Sequence, residues 1–157
     1  MATNNVVNIR TPFPIFFGYY AATTGSVTGD GTAFPAAFDT NLFDTTSSLS
    51  NGIFTVPTTG RYYMNCTITA QALLSTQTSC ILQLGVAGNY LTSGVCNIYA
   101  MNASAGASVM VSGLLNLNAS DSVQAILTIS GGTKTAKIYS GGASNPTSWI
   151  CGYLLNV

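Results

Sequence analysis

The sequence predicts an all-β protein, an antiparallel two-sheet sandwich of the jelly-roll kind, and three observations predict it. Apolar residues alternate with polar ones at period two as the dominant local pattern, which is how a strand with one face in a core appears in sequence. Clusters of Gly, Asn, Ser and Thr punctuate these runs, supplying turn chemistry, while helix signals are nearly absent. The last apolar run carries large side chains on both alternating sets, so it is expected to be covered on both faces. At 157 residues the chain suits one domain with a full core.

The elements follow from the punctuation. In "NGIFTVPTTGRYYMNCTI", residues 51–68, an Asn-Gly turn opens a short apolar run around Phe54 that ends at Pro57, and "TTG" turns the chain into the next strand. There Tyr62, Met64, Cys66 and Ile68 form an apolar set, while Arg61, Asn65 and Thr67 are polar and Tyr63 is amphipathic. Further strands are expected at 79–86, 108–117, 122–129, 134–140 and 148–157, separated by "LNASDS", "SGGT" and "SGGASNPTS". They place Leu82, Leu84, Leu117, Val123 and Leu127 in the core. In the last strand Trp149, Cys151, Tyr153 and Leu155 form one apolar set, assigned to the core, and Ile150 and Leu154 flank Gly152 on the other. A two-layer sandwich covers one face of each sheet, so the second set needs another cover. A second copy of the chain is the simplest one.

Residues 1–14 are expected as an N-terminal arm ahead of a jelly-roll domain spanning 15–157. The stretch "NNVVNIRTPFPIFF" is apolar and broken by proline, which suits extended chain better than helix. Ile9, Phe13, Ile15 and Phe16 are its candidate anchoring residues, the alternative being that the segment is the first strand of the sandwich, since edge strands also tolerate proline. This N-terminus lacks the basic start and continuous apolar core of a secretion signal, and it is read as part of the mature protein. No stretch has the apolar length of a membrane-spanning helix, so no membrane insertion is expected.

Charge excludes several functions. Four basic and four acidic residues make up 5% of the chain, with no histidine and no glutamate. Arg10, Arg61, Lys134 and Lys137 cannot supply the basic footprint of nucleic-acid binding. A general acid-base pair or a base for a serine or cysteine nucleophile is likewise lacking, and no phosphate-cradling glycine loop is present. We expect no enzyme activity, no catalytic residue and no cofactor. Cys66, Cys80, Cys96 and Cys151 have no CxxC spacing, so a structural metal site is a poor reading. They are expected as small buried hydrophobes, with a disulfide pair left open. Asn65, Asn102 and Asn118 fit the glycosylation pattern, which carries little weight without a secretion signal.

The order and spacing of "FDTTSSLSNGIFTVPTTGRYYMNCTI", "LLNLNASDSV" and "SWICGYLL" resemble the globular head of complement component one-q and the tumour necrosis factor superfamily. Asn51, Gly52, Phe54, Pro57, Gly60, Tyr62, Leu117, Asp121 and Gly152 carry the likeness, which runs from about Phe17 to Leu155. The resemblance implies a jelly roll assembled as a tight homotrimer, its inner sheet turned toward the threefold axis. Tyr63, Asn65, Met110, Ile150, Gly152 and Leu154 would then form the trimer interface. Secreted members carry a signal peptide and often a collagen-like shaft, neither of which is seen in this sequence. Calcium-binding members use several loop carboxylates, whereas Asp30, Asp39, Asp44 and Asp121 are scattered and Asp121 reads as a turn residue.

Two functions fit these constraints. The first is a structural protein of a virus or bacteriophage, a capsid decoration or short spike made in the host cytoplasm and carried on the virion surface. Its partners would be its own copies and, through the arm, a capsid or other virion protein. The second is a receptor- or glycan-binding head, of a fibre that attaches to a host surface or of a secreted complement-one-q-like binding module.

Overall fold

The computed structural model describes residues 13–86, 88–96 and 106–157. Twelve strands follow one another there: β1 (Ile15–Tyr19), β2 (Ala33–Pro35), β3 (Thr40–Asp44), β4 (Leu49–Ser50), β5 (Ile53–Thr55), β6 (Gly60–Gln71), β7 (Ser79–Val86), β8 (Asn89–Cys96), β9 (Ala107–Leu117), β10 (Ser122–Ser130), β11 (Lys137–Tyr139) and β12 (Trp149–Asn156). No helix lies among the described residues.

Local chemistry sets the turns. Ser50 and Ile53 pair across a two-residue connection, and both Asn51 and Gly52 are left-handed, with φ of 49° and 74°. Two positive φ values are what a tight hairpin of this twist demands, and Asn-Gly is the pair that tolerates them best. A side chain at position 52 would also strike the Ala36 carbonyl. Asp44 organises the bend before this hairpin by accepting from the backbone N–H groups of Thr46 and Leu49. Asp121 does the same beyond β9, accepting from the Asn118 N–H at 2.8 Å.

The strands form two antiparallel sheets. In the first, β6 is central: β9 pairs along one edge, β12 and then β11 along the other, and β1 and β3 continue outward from β12. The second runs β4, β5, β10, β7, β8, with β2 beside β5 on β10. Their facing sides share one core that includes Phe16, Phe38, Phe54, Tyr62, Met64, Cys66, Ile68, Leu82, Leu84, Leu117, Val123, Leu127 and Ile150. Phe16 stacks on Phe54 with ring centroids 4.4 Å apart, and Phe54 meets the edge of Tyr62. The Tyr62 hydroxyl reaches the Thr58 carbonyl at 2.7 Å, so the ring is buried without stranding its polar end.

Two sequence expectations require correction. Trp149, Cys151, Tyr153 and Leu155 are not core residues: Trp149 and Cys151 are half-buried and Tyr153 and Leu155 exposed, while Ile150, Gly152 and Leu154 are buried. The cause is register. Ile150, Gly152 and Leu154 lie opposite Cys66, Met64 and Tyr62, and paired residues of adjacent strands point to the same side. Gly152 is small because the Phe16 ring passes over it, and a Cβ there would come within 2.9 Å of that ring. The second correction concerns Ile15 and Phe16, which belong to β1 between β12 and β3 rather than to an arm. Phe13 is exposed, its carbonyl taking the Thr45 hydroxyl and that of Pro14 the Leu154 N–H; Ile9 lies outside the described residues.

Candidate functional site

The outer face of the first sheet is where the corrected register gathers side chains that a lone sandwich has no reason to expose. Following the pairing from strand to strand gives three rows. Leu114, Tyr63, Tyr153 and Ile15 stand side by side across β9, β6, β12 and β1. Ser112, Asn65, Cys151, Phe17 and Phe43 form the next row, extended onto β3. Met110, Thr67, Trp149, Tyr19 and Thr40 form the third. No charged residue occurs in any of them.

Aromatic contacts run within the rows and join the second to the third. Tyr63 and Tyr153 lie with ring centroids 5.4 Å apart, while Phe17 stacks on Trp149 at 5.6 Å and meets Phe43 at 6.1 Å. Such pairs fix side-chain positions before any partner arrives. Met110 and Leu114 nevertheless remain 59% and 62% exposed, and Tyr153 41%. A contiguous apolar face of this kind marks an interaction surface.

Asn65 is the polar exception in the middle row. Its side-chain oxygen is buried and accepts no hydrogen bond among the described residues, and a buried acceptor without a donor costs free energy. Beside it, burial pushes the Cys151 thiol up. Arg61 sits at one end of the face, where its Nε donates to Asn116 Oδ1 at 3.2 Å. The same end opens into a groove of about 400 Å³ lined by Thr59, Gly60, Arg61, Asn116, Leu117, Asn118, Asn156 and Val157.

Of the residues expected at an interface, Tyr63, Asn65 and Met110 lie on this face, and Ile150, Gly152 and Leu154 do not. The structure instead adds Ile15, Phe17, Phe43, Leu114, Trp149, Cys151 and Tyr153. Leu114 was readable from the sequence, since it shares Met110's alternating set in "SVMVSGLLNL". The outward residues of β12 were not, because both of its sets are apolar. Among the described residues no three Cys or Asp groups gather as metal ligands; Asp30 accepts from the Thr32 N–H in its own turn, and Asp39 accepts from the Ala21 N–H across 18 residues of chain.

No protein-family model matches this sequence, and no curated protein does. Solved structures do. The globular domain of zebrafish complement 1qA superimposes with a TM-score of 0.65 at 18% identity, covering 92% of this chain and 98% of that one. This is the complement-one-q and tumour necrosis factor fold. Murine APRIL matches with a TM-score of 0.60 at 13% identity, over 92% of this chain and 100% of that one. Eiger TNF from S. frugiperda gives 0.60 at 18% identity, over 92% and 93%. The complement-one-q/tumour necrosis factor jelly roll thus spans nearly the whole chain, at identities that speak of fold alone.

Proposed function

We propose that this chain is a non-enzymatic structural protein that assembles as a homotrimer through the outer face of its first sheet and serves as a decoration or short spike on a virus or bacteriophage particle. The observation that carries the self-association is the set of charge-free apolar rows on that face, whose aromatic residues are already locked by one another. Three copies packed on these faces would remove Met110, Leu114 and Tyr153 from water. Each large apolar side chain so buried contributes roughly 1.5–3 kcal/mol. The particle role draws on a chain solvated by hydroxyls and amides rather than charges.

Attachment would run through the N-terminal residues. Because Phe13 and Pro14 already bond to Thr45 and Leu154, the informative truncation removes residues 1–12 and keeps both of those bonds. The shortened protein should remain a trimer by light scattering yet fail to rebind particles stripped of it, while the intact protein rebinds. Equal rebinding by both would remove the N-terminus from the attachment role.

The groove at the Arg61 end favours a second reading, a glycan- or receptor-binding head. A guanidinium flanked by Asn116, Asn118, Asn156 and Thr59 offers the hydrogen-bond donors and acceptors that an acidic sugar would use. Adhesion of the trimer to host cells, abolished by Arg61→Ala and without any particle binding, would favour this reading over the first.

A further inference from the structure

Cys80 and Cys96 face each other directly across the antiparallel β7–β8 pair. Opposed residues in such a pair hold their Cα atoms about 4.5 or about 5.5 Å apart, according to the hydrogen-bonding pattern. Both spacings fall within the roughly 4.4–6.8 Å that a disulfide spans. Being register partners, the two side chains also project to the same side of the sheet. Cys80 is buried in the core, and Cys96 is half-buried and packed against it. We propose that Cys80 and Cys96 are a redox-active dithiol that closes to a disulfide, stapling β8 to β7.

The other cysteines do not compete for this role. Cys66 lies opposite Ile150, and Cys151 opposite Asn65, so Cys66 faces the core and Cys151 the outer surface, with the sheet between them. A zinc site needs four ligands, and no third Cys or Asp joins this pair among the described residues. The staple is placed where the fold has a seam. β8 is the outermost strand of the second sheet, and it crosses to β9 so closely that a Cβ on Gly94 would strike the Met110 carbonyl.

Closure is ordinary thiol–disulfide exchange with a small-molecule disulfide such as oxidised glutathione. The Cys96 thiol, which solvent reaches, loses its proton and attacks one glutathione sulfur, forming a mixed disulfide and expelling a glutathione thiolate that takes up the proton. The Cys80 thiol then loses its proton and attacks the Cys96 sulfur, expelling the second glutathione. Two protein thiols are oxidised and one glutathione disulfide is reduced to two thiols. Burial pushes the Cys80 thiol up to about 12, so alkaline pH favours the second step by raising its thiolate fraction.

The test uses the full chain incubated with oxidised glutathione at mild alkaline pH, then unfolded with free thiols blocked. The expected product has lost two hydrogens in mass, carries two blocked thiols instead of four, and melts about 6–12 °C higher until reductant is added. Trypsin cannot separate the pair, since no lysine or arginine stands between Arg61 and Lys134. Chymotrypsin can, and the cross-link should join a fragment with Cys80 to one with Cys96. Cys96→Ser should abolish both the cross-link and the melting shift, and it avoids disturbing the more deeply buried Cys80. Four blocked thiols, a link through Cys66 or Cys151, or a lasting glutathione adduct on Cys96 with Cys80 still free would each overturn the proposal.

Discussion

Cys80, Cys66 and Tyr20 are ionisable groups in a core that has no charge to pair with them. Burial pushes the Cys80 thiol up to about 12, and it raises the Cys66 thiol and the Tyr20 phenol as well. All three are neutral below the range where the unfolded chain ionises, so at neutral pH no charge is buried with them. As pH rises past the ordinary thiol value of 9.0, the unfolded state releases protons that the folded state keeps, and stability must fall. Each such thiol contributes a slope of about 1.4 kcal/mol per pH unit between its unfolded and folded values. Chemical denaturation under reducing conditions should therefore give a flat stability between neutrality and mild alkali and a steep loss above it. Cys80→Ala should make that loss shallower; an unchanged alkaline slope would mean that the thiol is not held protonated by the core.

The limits of sequence reading at the scale of an element show most clearly in β12. Alternation finds a strand and its two sets of side chains, but only an asymmetry between the sets says which one faces the core. β6 has that asymmetry, with Met64, Cys66 and Ile68 set against Asn65 and Thr67, and its core face was legible. β12 lacks it, since Trp149 and Tyr153 are as apolar as Ile150 and Leu154, and its faces are fixed only by pairing with β6. β8 escaped notice for a different reason: its half-buried set of Thr92, Gly94 and Cys96 is small or polar, while Tyr90, Leu91 and Val95 are exposed, so no apolar alternation marks it. β1 was half legible: the first-strand alternative for this proline-broken stretch is the one the structure takes from Ile15 onward, but Phe residues on both of its faces gave no asymmetry to decide it. The register of β12 makes a simple prediction. Ile150→Ala empties a fully buried site and should cost about 2–5 kcal/mol, whereas Cys151→Ala, on the other face, should cost far less in the isolated fold. Urea titration of both variants checks this, and equal losses would contradict the register.

For the whole molecule, the face that β12 completes is the quantity to be tested, and its geometry allows folding and assembly to be separated. Leu154 and Tyr153 are neighbours in sequence, but one points into the core and the other out of it. Leu154→Asp buries a carboxylate with no partner, a penalty of several kcal/mol that falls on the single chain. It should leave the protein unfolded or aggregated, with its native β-sheet circular dichroism lost. Tyr153→Asp places its carboxylate on the outer face, where an isolated chain leaves it in water, so the fold should survive with near-native circular dichroism. Three copies packed on that face would instead enclose three carboxylates among Leu114, Tyr63 and Ile15, and the desolvation cost would be met three times over. Light scattering should accordingly report a trimer for the unaltered chain and a folded monomer for Tyr153→Asp, with Leu114→Asp behaving the same way from the opposite edge of the row. A folded Tyr153→Asp protein that remains trimeric at micromolar concentration would exclude this face as the assembly surface.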